Sequence, residues 1–402
     1  MALKKNPYQT KEKVMQESTI EFFCPVKTNA GKKALDHIPI ELKALDAERP
    51  IVITDQHTAD KGLSKHLINA FKDSGMKFGL FEGVPKTADV KTIRELSQKF
   101  LYKGFDSIIA LGAGAAMDIA KGLNIVVSGK PDDLNLLAGV NKINHRLLPF
   151  IAIPTAWGNG FEITRYAFVE NKAYTSPFLM PDLVVIDPVL YKSPDTKLMA
   201  STAMLALTHS LEACIHPNGN EFINAYAYAA IQHIKDCLPK ALKNPKNKQA
   251  NMGIGNASSM AGCAFSNVSP GMVHRLGKAA GSMFNIPSGQ CMGIILPYGL
   301  EYQMDKNASF AEKLFQAVAD LDTLAKTSKS NYKQKVIDDI KQMQTEMASL
   351  KKNAIPKTLE QTEISKNSLP AIAQKAIDNG LGMDKDECIK ILTAAYEGKS
   401  IA

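Results

Sequence analysis

Residues 107–121 read SIIALGAGAAMDIAK, an apolar run that gives way at Gly112 to small residues and then to a helical pattern. The run over 107–112 has the composition of a buried strand. Glycine and alanine directly after a strand let backbone N–H groups and a helix N-terminus approach a phosphate closely. The spacing is not GxGxxG, because Met117 occupies the position of the third glycine. Taken alone, the run is compatible with a phosphate-binding loop and equally with a tight turn.

Strands and helices alternate on both sides of this run. Hydrophobic periodicity predicts strands over residues 50–55, 77–81, 107–112, 150–154 and 183–187, with helices over 62–74 and 90–104. Such alternation predicts a parallel sheet flanked by helices, with ligands at the carboxyl ends of the strands. After Pro188 the pattern becomes helical and strand-like runs almost vanish. We predict an α/β domain over residues 1–191 and an all-α domain over residues 192–402.

Composition narrows the class of protein. The chain has 402 residues, 45% of them hydrophobic, and 48 basic against 40 acidic side chains give a net charge of +8. Basic residues are spread without a run of five or six, so we expect no nucleic-acid partner. No apolar stretch approaches the ~20 residues that a membrane helix needs. The six scattered cysteines, with no CxxC pair and no signal peptide, indicate free thiols in a reducing cytoplasm.

A second glycine-rich segment follows another predicted strand. Residues 154–162 read PTAWGNGFE, directly after the apolar run over 150–154. Because the carboxyl ends of parallel strands meet at one edge of a sheet, the two segments would line the same crevice. Two such loops favour a bound ligand over two unrelated turns.

The two loops, in their order and spacing, resemble those of the iron-dependent alcohol dehydrogenase family, which is related to glycerol dehydrogenase and dehydroquinate synthase. Residues 112–121 are similar to its GGGSxxDxAK motif and residues 155–162 to its TTAGTGSE motif. Further matches are PDLVVIDP at 181–188, NVSPGMVH at 267–274 and NIPSG at 285–289. The resemblance implies an N-terminal dinucleotide-binding α/β domain with a parallel sheet, a C-terminal helical domain, and an active site between them.

By that resemblance, the first loop holds the pyrophosphate of a nicotinamide dinucleotide and the second contacts its nicotinamide side. These roles fall on Gly112, Ala113, Gly114, Ala115 and Asp118, and on Thr155, Ala156, Gly158 and Phe161. The loops depart from the family at Ala113 and Ala115, which replace the usual Gly and Ser, and at the bulky Trp157 and Phe161.

Asp55 bears on the choice of cofactor. It ends the first predicted strand, where a carboxylate can accept hydrogen bonds from an adenosine ribose and repel a 2′-phosphate. We therefore expect NAD as the cofactor, with NADP as the alternative. A strand-ending Asp is also a common turn residue.

The metal site of the family is incomplete in this chain. Family members hold a divalent metal with one Asp and three His, and these positions align with Leu205, His209, His274 and Ser288. Two imidazoles and a hydroxyl without a carboxylate would hold such an ion weakly. We therefore expect no tightly bound metal. Glu212 could approach the helix face of His209 in a rearranged site, which is the alternative.

Lys278 stands where the resemblance places a further histidine, four residues after His274 and on the same helix face. An ammonium there would stabilise negative charge on a substrate oxygen or donate a proton. We predict a catalytic cluster of Lys278, His274 and His209 that suits an anionic or strongly polarised carbonyl, with maleylacetate reductases as the precedent within the superfamily. The alternative is a lysine that fills a decayed site and reaches water.

The predicted function is NAD(P)-dependent hydride transfer between the cofactor and a small alcohol, aldehyde or keto compound, without the metal. One alternative is a catalytically impaired relative that binds a dinucleotide as a sensor or structural subunit, and a weaker one is lyase chemistry of the dehydroquinate synthase type. The resemblance also implies a homodimer, for which residues 22–25 are a candidate edge strand. We expect the lysine-rich stretch over 328–353 to form an exposed helical arm.

Overall fold

The structure is a computed structural model that describes residues 20–155, 160–170, 172–191, 195–349 and 356–401. The strands in those ranges are β1 (Lys27–Ala30), β2 (Pro50–Asp55), β3 (Gly79–Val84), β4 (Ser107–Gly112), β5 (Gly139–Val140), β6 (Phe150–Pro154), β7 (Tyr166–Val169), β8 (Lys172–Thr175) and β9 (Leu183–Ile186). Six of them form one sheet in the order β1-β9-β6-β4-β2-β3. All neighbours in this sheet are parallel, as predicted.

The α-helices of the first half are α1 (Ile38–Ala44), α2 (Gln56–Asp60), α3 (Leu63–Phe71), α4 (Val90–Lys103) and α5 (Ala115–Gly129). The centre of the sheet is mostly apolar because helices pack against it, and every residue of β4 is buried. Helix α4 begins at the cap Asp89, whose side chain accepts from the amide of Thr92, and ends at Gly104 in the left-handed conformation. Strand β3 begins two residues later than predicted, since its pairing with β2 starts at Gly79.

The order of the strands positions the site. Strands β6, β4 and β2 are neighbours, and they end at Pro154, Gly112 and Asp55 respectively. Gly112 is directly paired with Pro154. Because the strands are parallel, both glycine segments and Asp55 meet at one edge of the sheet, as the sequence predicted.

The sequence did not predict a second, smaller sheet, in which β8 lies between β5 and β7. Strands β7 and β8 are antiparallel, with Tyr166 opposite Thr175. Each has four residues, which is too short for period-two alternation to stand out from the surrounding loops. Strand β7 carries Phe168, which contacts the helical domain.

The second half is helical, as predicted. Its α-helices within the described ranges are α6 (Thr196–Cys214), α7 (Glu221–Lys243), α8 (Lys248–Ser266), α9 (Met272–Phe284), α10 (Ser288–Lys306), α11 (Ser309–Val318), α12 (Leu321–Lys326), α13 (Tyr332–Ala348), α14 (Leu369–Asp378) and α15 (Lys385–Glu397). Helices α6 and α10 are buried on almost every side and form the centre of this domain. The predicted boundary after residue 191 adjoins residues 192–194, which lie outside the described residues. None of the helices described is both long and apolar enough to cross a membrane.

Two expectations about the surface were wrong. Residues 22–25 form no strand; the strand that follows them, β1, lies at one edge of the sheet and pairs with β9 of this same chain. The stretch over 328–353 is not an exposed arm, because α13 buries Val336, Ile340 and Met347. The Nε2 atom of Gln344 also donates to the Gly293 carbonyl at 2.6 Å. The charged face of α13 masked this apolar stripe in the sequence; residues 350–353 lie outside the described residues.

Candidate active site

The first glycine loop leaves room at the start of α5. A Cβ at Gly112 would lie 2.7 Å from the Cβ of Ala116, so only glycine lets the chain turn so closely onto the helix. Gly114 adopts φ 45° and ψ −109°, and a Cβ there would meet no atom within 4 Å. The N-terminus of a fifteen-residue helix therefore faces open space, which is the arrangement that binds a phosphate. Ala113 and Ala115 flank this turn.

Asp55 lies beside this loop and also caps a helix. Its Oδ1 accepts from the amide of Thr58 at 2.8 Å, and its Oδ2 accepts from the Thr58 hydroxyl at 3.0 Å. A Cβ at Gly112 would lie 3.1 Å from Oδ2. Asp55 therefore serves as a turn and cap residue, which was the alternative interpretation of the sequence. The same carboxylate also borders the glycine loop.

Asp118 and Lys121 tie α5 to the second segment and β7. Oδ1 of Asp118 accepts from the amide of Phe168 at 2.9 Å, and burial raises the pKa of this carboxyl to about 6. The ammonium of Lys121 is buried and donates to the carbonyls of Phe161, Thr164 and Tyr166 at 2.9, 2.7 and 2.9 Å. The sequence analysis did not assign a role to Lys121. The signal was available, because Lys121 lies among the apolar residues Ile119, Ala120 and Leu123, and a lysine is rarely buried unless it has partners.

The second segment rests against the helical domain. The amide of Thr155 donates to the Gly112 carbonyl at 3.1 Å, which joins the two loops. Gly160, with φ 67°, lies so close to α8 that a Cβ would be 2.6 Å from the Ser258 carbonyl oxygen. Phe161 packs edge-on against Phe168. Ala156, Trp157 and Gly158 lie outside the described residues.

His209 and His274 are bonded to each other. Nε2 of His209 lies 2.8 Å from Nδ1 of His274, and the two residues are only 1% and 4% exposed. Phe265 stacks on His209 with ring centres 3.9 Å apart, a contact that the sequence did not reveal. Burial, reinforced by the charge of Lys278, lowers the pKa of His209 to about 3, and burial lowers the pKa of His274 well below its usual value. Both imidazoles are therefore neutral at neutral pH.

The protons of this pair can be placed. Nδ1 of His209 is buried without a hydrogen-bond partner. A buried N–H without an acceptor is rarer in proteins than an acceptor without a donor. We therefore assign the His209 proton to Nε2, which donates to Nδ1 of His274 and leaves the His274 proton on its own Nε2.

Glu212 accepts hydrogen bonds from the backbone at the start of α9. Its carboxylate accepts from the amides of Val273 and His274 at 2.6 and 3.2 Å, and it thereby caps the helix that carries His274. Burial raises the pKa of this carboxyl to about 7. Glu212 is thus a positioning residue for His274 in this structure.

Lys278 reaches from the helical domain to the α/β domain. Its Nζ lies 3.7 Å from the centre of the Phe168 ring. The side chain is exposed to solvent, yet the protein atoms around its ammonium lower its pKa, while the charge of Asp118 opposes that shift. The ammonium of Lys278 is therefore accessible to solvent and also surrounded by protein atoms, as expected for a side chain in a cleft. The structure thus brings Lys278 near the histidine pair and near the amino end of α5.

The comparisons with known proteins agree with this geometry. The family model for iron-containing alcohol dehydrogenases matches residues 25–188, and the model for the C-terminal part of the Fe-containing alcohol dehydrogenase family matches residues 199–396. The chain belongs to the iron-containing alcohol dehydrogenase family. It is an oxidoreductase of that type, and the family and fold predicted from the sequence are confirmed.

Individual relatives of this family member cover most of its length. Long-chain-alcohol dehydrogenase 1 of Geobacillus thermodenitrificans is 28% identical over 90% of the chain and 91% of the relative. NAD-dependent methanol dehydrogenase of Bacillus methanolicus is 27% identical over 76% of the chain and 82% of the relative. The structure of an alcohol dehydrogenase from Oenococcus oeni superposes with a TM-score of 0.86 at 26% identity, over 94% of this chain and 100% of that one.

The residues at the four metal positions of the family do not suit a divalent metal in this structure. A Cβ at Gly289 would lie 3.0 Å from the Cβ of Leu205, so Leu205 faces the start of α10 next to Ser288. Leu205 offers no donor atom there. The hydrogen bond between the imidazoles consumes the proton of one nitrogen and the lone pair of the other. The described part of the chain holds no group of three or more His, Cys, Asp or Glu suited to a metal.

Proposed function

We propose that this protein moves a hydride between NAD and a small alcohol or carbonyl substrate without the divalent metal of its family. The observation that carries the proposal is the direct bond between Nε2 of His209 and Nδ1 of His274. It accompanies the loss of the other two donors, at Leu205 and Ser288. Neutral imidazoles that bond each other, with no carboxylate at the other two family positions, favour a site that works with its own side chains.

Features of the first loop support NAD as the cofactor. The open helix terminus behind Gly114, with Ala113 and Ala115 beside it, would hold the pyrophosphate. Asp55, at the edge of that loop, would accept from the ribose and disfavour NADP. Thr155 and Phe161 would face the nicotinamide side. When bound, the cofactor donates or accepts the hydride.

Lys278 would take over the electrostatic task of the metal. As the substrate carbonyl is reduced, negative charge develops on its oxygen, and a nearby ammonium stabilises that charge and can supply the proton. Nε2–H of His274 is a second donor in the same region. A fixed cation in a cleft also favours substrates that carry a carboxylate or similar anionic group, so we propose an anionic or strongly polarised carbonyl compound.

Assembly and location complete the proposal. We propose a homodimer in the cytoplasm with a small-molecule substrate and with neither a nucleic-acid nor a membrane partner. The even distribution of charge along the chain supports the absence of a nucleic-acid partner. Analytical ultracentrifugation of the purified protein tests the assembly.

One assay separates the proposal from its competitors. The protein is treated with a strong chelator, its metal content is measured, and NADH oxidation is followed with a panel of aldehydes, ketones and keto acids. We expect turnover with at least one anionic carbonyl, unchanged by chelation. Activity that disappears with the metal and returns on its addition would restore the metal-dependent mechanism of the family.

A second candidate is a dinucleotide-binding relative without catalysis. The burial of the histidine pair favours this candidate. His209 and His274 are only 1% and 4% exposed, so a substrate has little access to either imidazole. Thermal stabilisation by NAD together with silence across the whole panel would support this candidate.

A further inference from the structure

Cys24 and Cys263 form a close pair outside the site described above. All six cysteines are free, and the Sγ atoms of these two lie 3.4 Å apart. The residues are separated by 239 positions in the chain. Cys24 precedes β1 of the α/β domain, whereas Cys263 lies on α8 of the helical domain. The pair therefore spans the two domains.

Contacts on both sides of Cys24 hold it at this position. The Phe22 ring stacks on Tyr226 of α7 with centres 5.4 Å apart. The amide of Phe23 donates to Oδ1 of Asn267 at 2.8 Å, and Nδ2 of Asn267 donates back to the Phe23 carbonyl at 3.1 Å. A segment bonded at successive residues keeps the two sulfur atoms in reach of each other.

The two thiols differ in chemistry. Cys24 is half-buried and Cys263 is buried. The hydrogen bond from Cys263 lowers the pKa of Cys24 to about 7, while the same bond and burial raise the pKa of Cys263. Tyr226 and Glu162 are the other titratable groups that face the pair. A reachable sulfur with thiolate character beside a buried partner thiol is the arrangement of oxidation-sensitive cysteine pairs.

We propose that Cys24 and Cys263 are an oxidation site that closes to an intramolecular disulfide when the protein meets a hydroperoxide. The Cys24 thiolate attacks one peroxide oxygen, the O–O bond breaks, and the products are Cys24 sulfenic acid and hydroxide, or alkoxide from an alkyl hydroperoxide. The Cys263 sulfur then attacks the sulfenic sulfur; the S–O bond breaks, and the thiol proton leaves with the hydroxyl as water. The two thiols lose two electrons and the peroxide gains them. The sulfur atoms have to approach from 3.4 Å to about 2.05 Å, a movement that side-chain rotation and the segment before β1, which belongs to no helix or strand, can share.

The disulfide would also act on the site, and this consequence rests on the proposed function. Cys263 adjoins Gly262, where a Cβ would lie 2.4 Å from the Gly160 carbonyl oxygen of the second loop. Two residues further along α8, Phe265 stacks on His209. A small shift of α8 towards Cys24 would therefore move the residues that pack against Gly160 and His209. We expect a several-fold weaker affinity for NADH in the oxidised protein.

The test uses the full chain, first reduced and then exposed to hydrogen peroxide. Peptide mapping should show the Cys24 peptide linked to the Cys263 peptide, with reversal by dithiothreitol. In C263S, Cys24 should stop at a sulfenic acid that dimedone traps, and in C24S, Cys263 should stay reduced because it is buried. The matched control is C237S, which removes another half-buried cysteine and should leave the cross-link intact.

A second readout does not depend on the cross-link. The rate at which iodoacetamide alkylates Cys24 should have a pH midpoint near the pKa of about 7, and in C263A, which removes the hydrogen-bond donor, the midpoint should rise towards the ordinary 9.0 of a thiol. Absence of the linked peptide in the wild type, or a linkage between two chains instead, would overturn the proposal. A cross-link that forms without any change in NADH affinity supports the oxidation site and overturns only its coupling to the active site.

Discussion

The ammonium of Lys278, on α9, lies 3.7 Å from the centre of the Phe168 ring on β7. The amide of that same Phe168 donates to Asp118 on α5. The cation is thus placed across the cleft between the two domains and next to the carboxylate of the helix that begins at the glycine loop.

Lys278 is the first residue to test. In K278M the side chain keeps its length and loses its charge, so we expect kcat to fall by about 10²- to 10⁴-fold while the Kd for NADH stays unchanged. K278R keeps a cation over Phe168 and should retain part of the activity. The control K99M removes an exposed cation of α4 that lies over a ring of the α/β domain, Phe81 of β3.

The pH dependence of the same variants gives a second test. Lys278 acts as the protonated form, and its surroundings lower its pKa, so activity should be lost as the pH rises, at a lower pH than an ordinary lysine would give. In K278R this alkaline loss should move to higher pH, because a guanidinium stays protonated. Steady-state kcat measured across the alkaline range checks this; an identical alkaline limb in both proteins would speak against Lys278.

Restoring the missing ligands should create a metal site. The double variant L205D/S288H supplies the carboxylate and the third imidazole beside His209 and His274, and we expect about one zinc or iron per chain where the wild type binds none stoichiometrically. The control L205A/S288A removes the same side chains and adds no donor. Metal analysis after dialysis measures both. One tightly bound metal per chain in the wild type would contradict the proposed function.

Glu212 makes stability depend on pH. Its folded pKa of about 7 lies above the ordinary 4.5, so the folded protein binds more protons than the unfolded chain between these values. The free energy of unfolding should therefore fall as the pH rises from 4.5 to about 7, by roughly 3 kcal/mol, and level off above.

Urea unfolding at a series of pH values measures this dependence. E212Q remains neutral and can still accept from the amides of Val273 and His274, so its profile should be flatter than that of the wild type. E212A also loses the cap and should be destabilised by about 2 kcal/mol. E221Q changes an exposed glutamate at the start of α7 and serves as the control, with a profile that should match the wild type.

Lys121 holds the second loop in place. K121M leaves the carbonyls of Phe161, Thr164 and Tyr166 without their donor inside the protein, and we expect a loss of about 3 kcal/mol or more in unfolding free energy. The exposed K91M should change stability by less than about 0.5 kcal/mol. Thermal and urea unfolding measure both; equal stabilities would show that water replaces the ammonium at no cost.

Asp55 should govern the choice of cofactor. D55N keeps an oxygen for the Thr58 amide and removes the charge that would repel a 2′-phosphate, so the ratio of kcat/KM for NADPH to that for NADH should rise by at least about tenfold. D55A should show the same change in ratio and lose about 1 kcal/mol of stability with the cap. An unchanged ratio in both variants would place the ribose elsewhere.

Much of the fold could be read from local patterns. Strands β2, β4, β6 and β9 were predicted because parallel strands covered on both faces are continuous apolar runs, and the glycine loop was visible because only small residues fit where β4 meets α5. The apolar stripe of α13 was missed, since its lysines dominate the composition of that stretch. Strands β7 and β8 were missed because four residues carry too little periodicity.

The sequence by itself determined the alternation of central strands and helices in the first half, the helical second half, the family, and the loss of donors at Leu205 and Ser288, since these follow from residue type and from spacing along the chain. Only the tertiary structure decided that His209 bonds His274, that Lys278 lies over Phe168, and that Cys24 faces Cys263. These partners are separated by 65 to 239 positions, so their contact depends on how sheet and helices pack. The physical reason is that local patterns set which face of an element is apolar, whereas the distance between two polar side chains on different elements is set by the packing of everything between them.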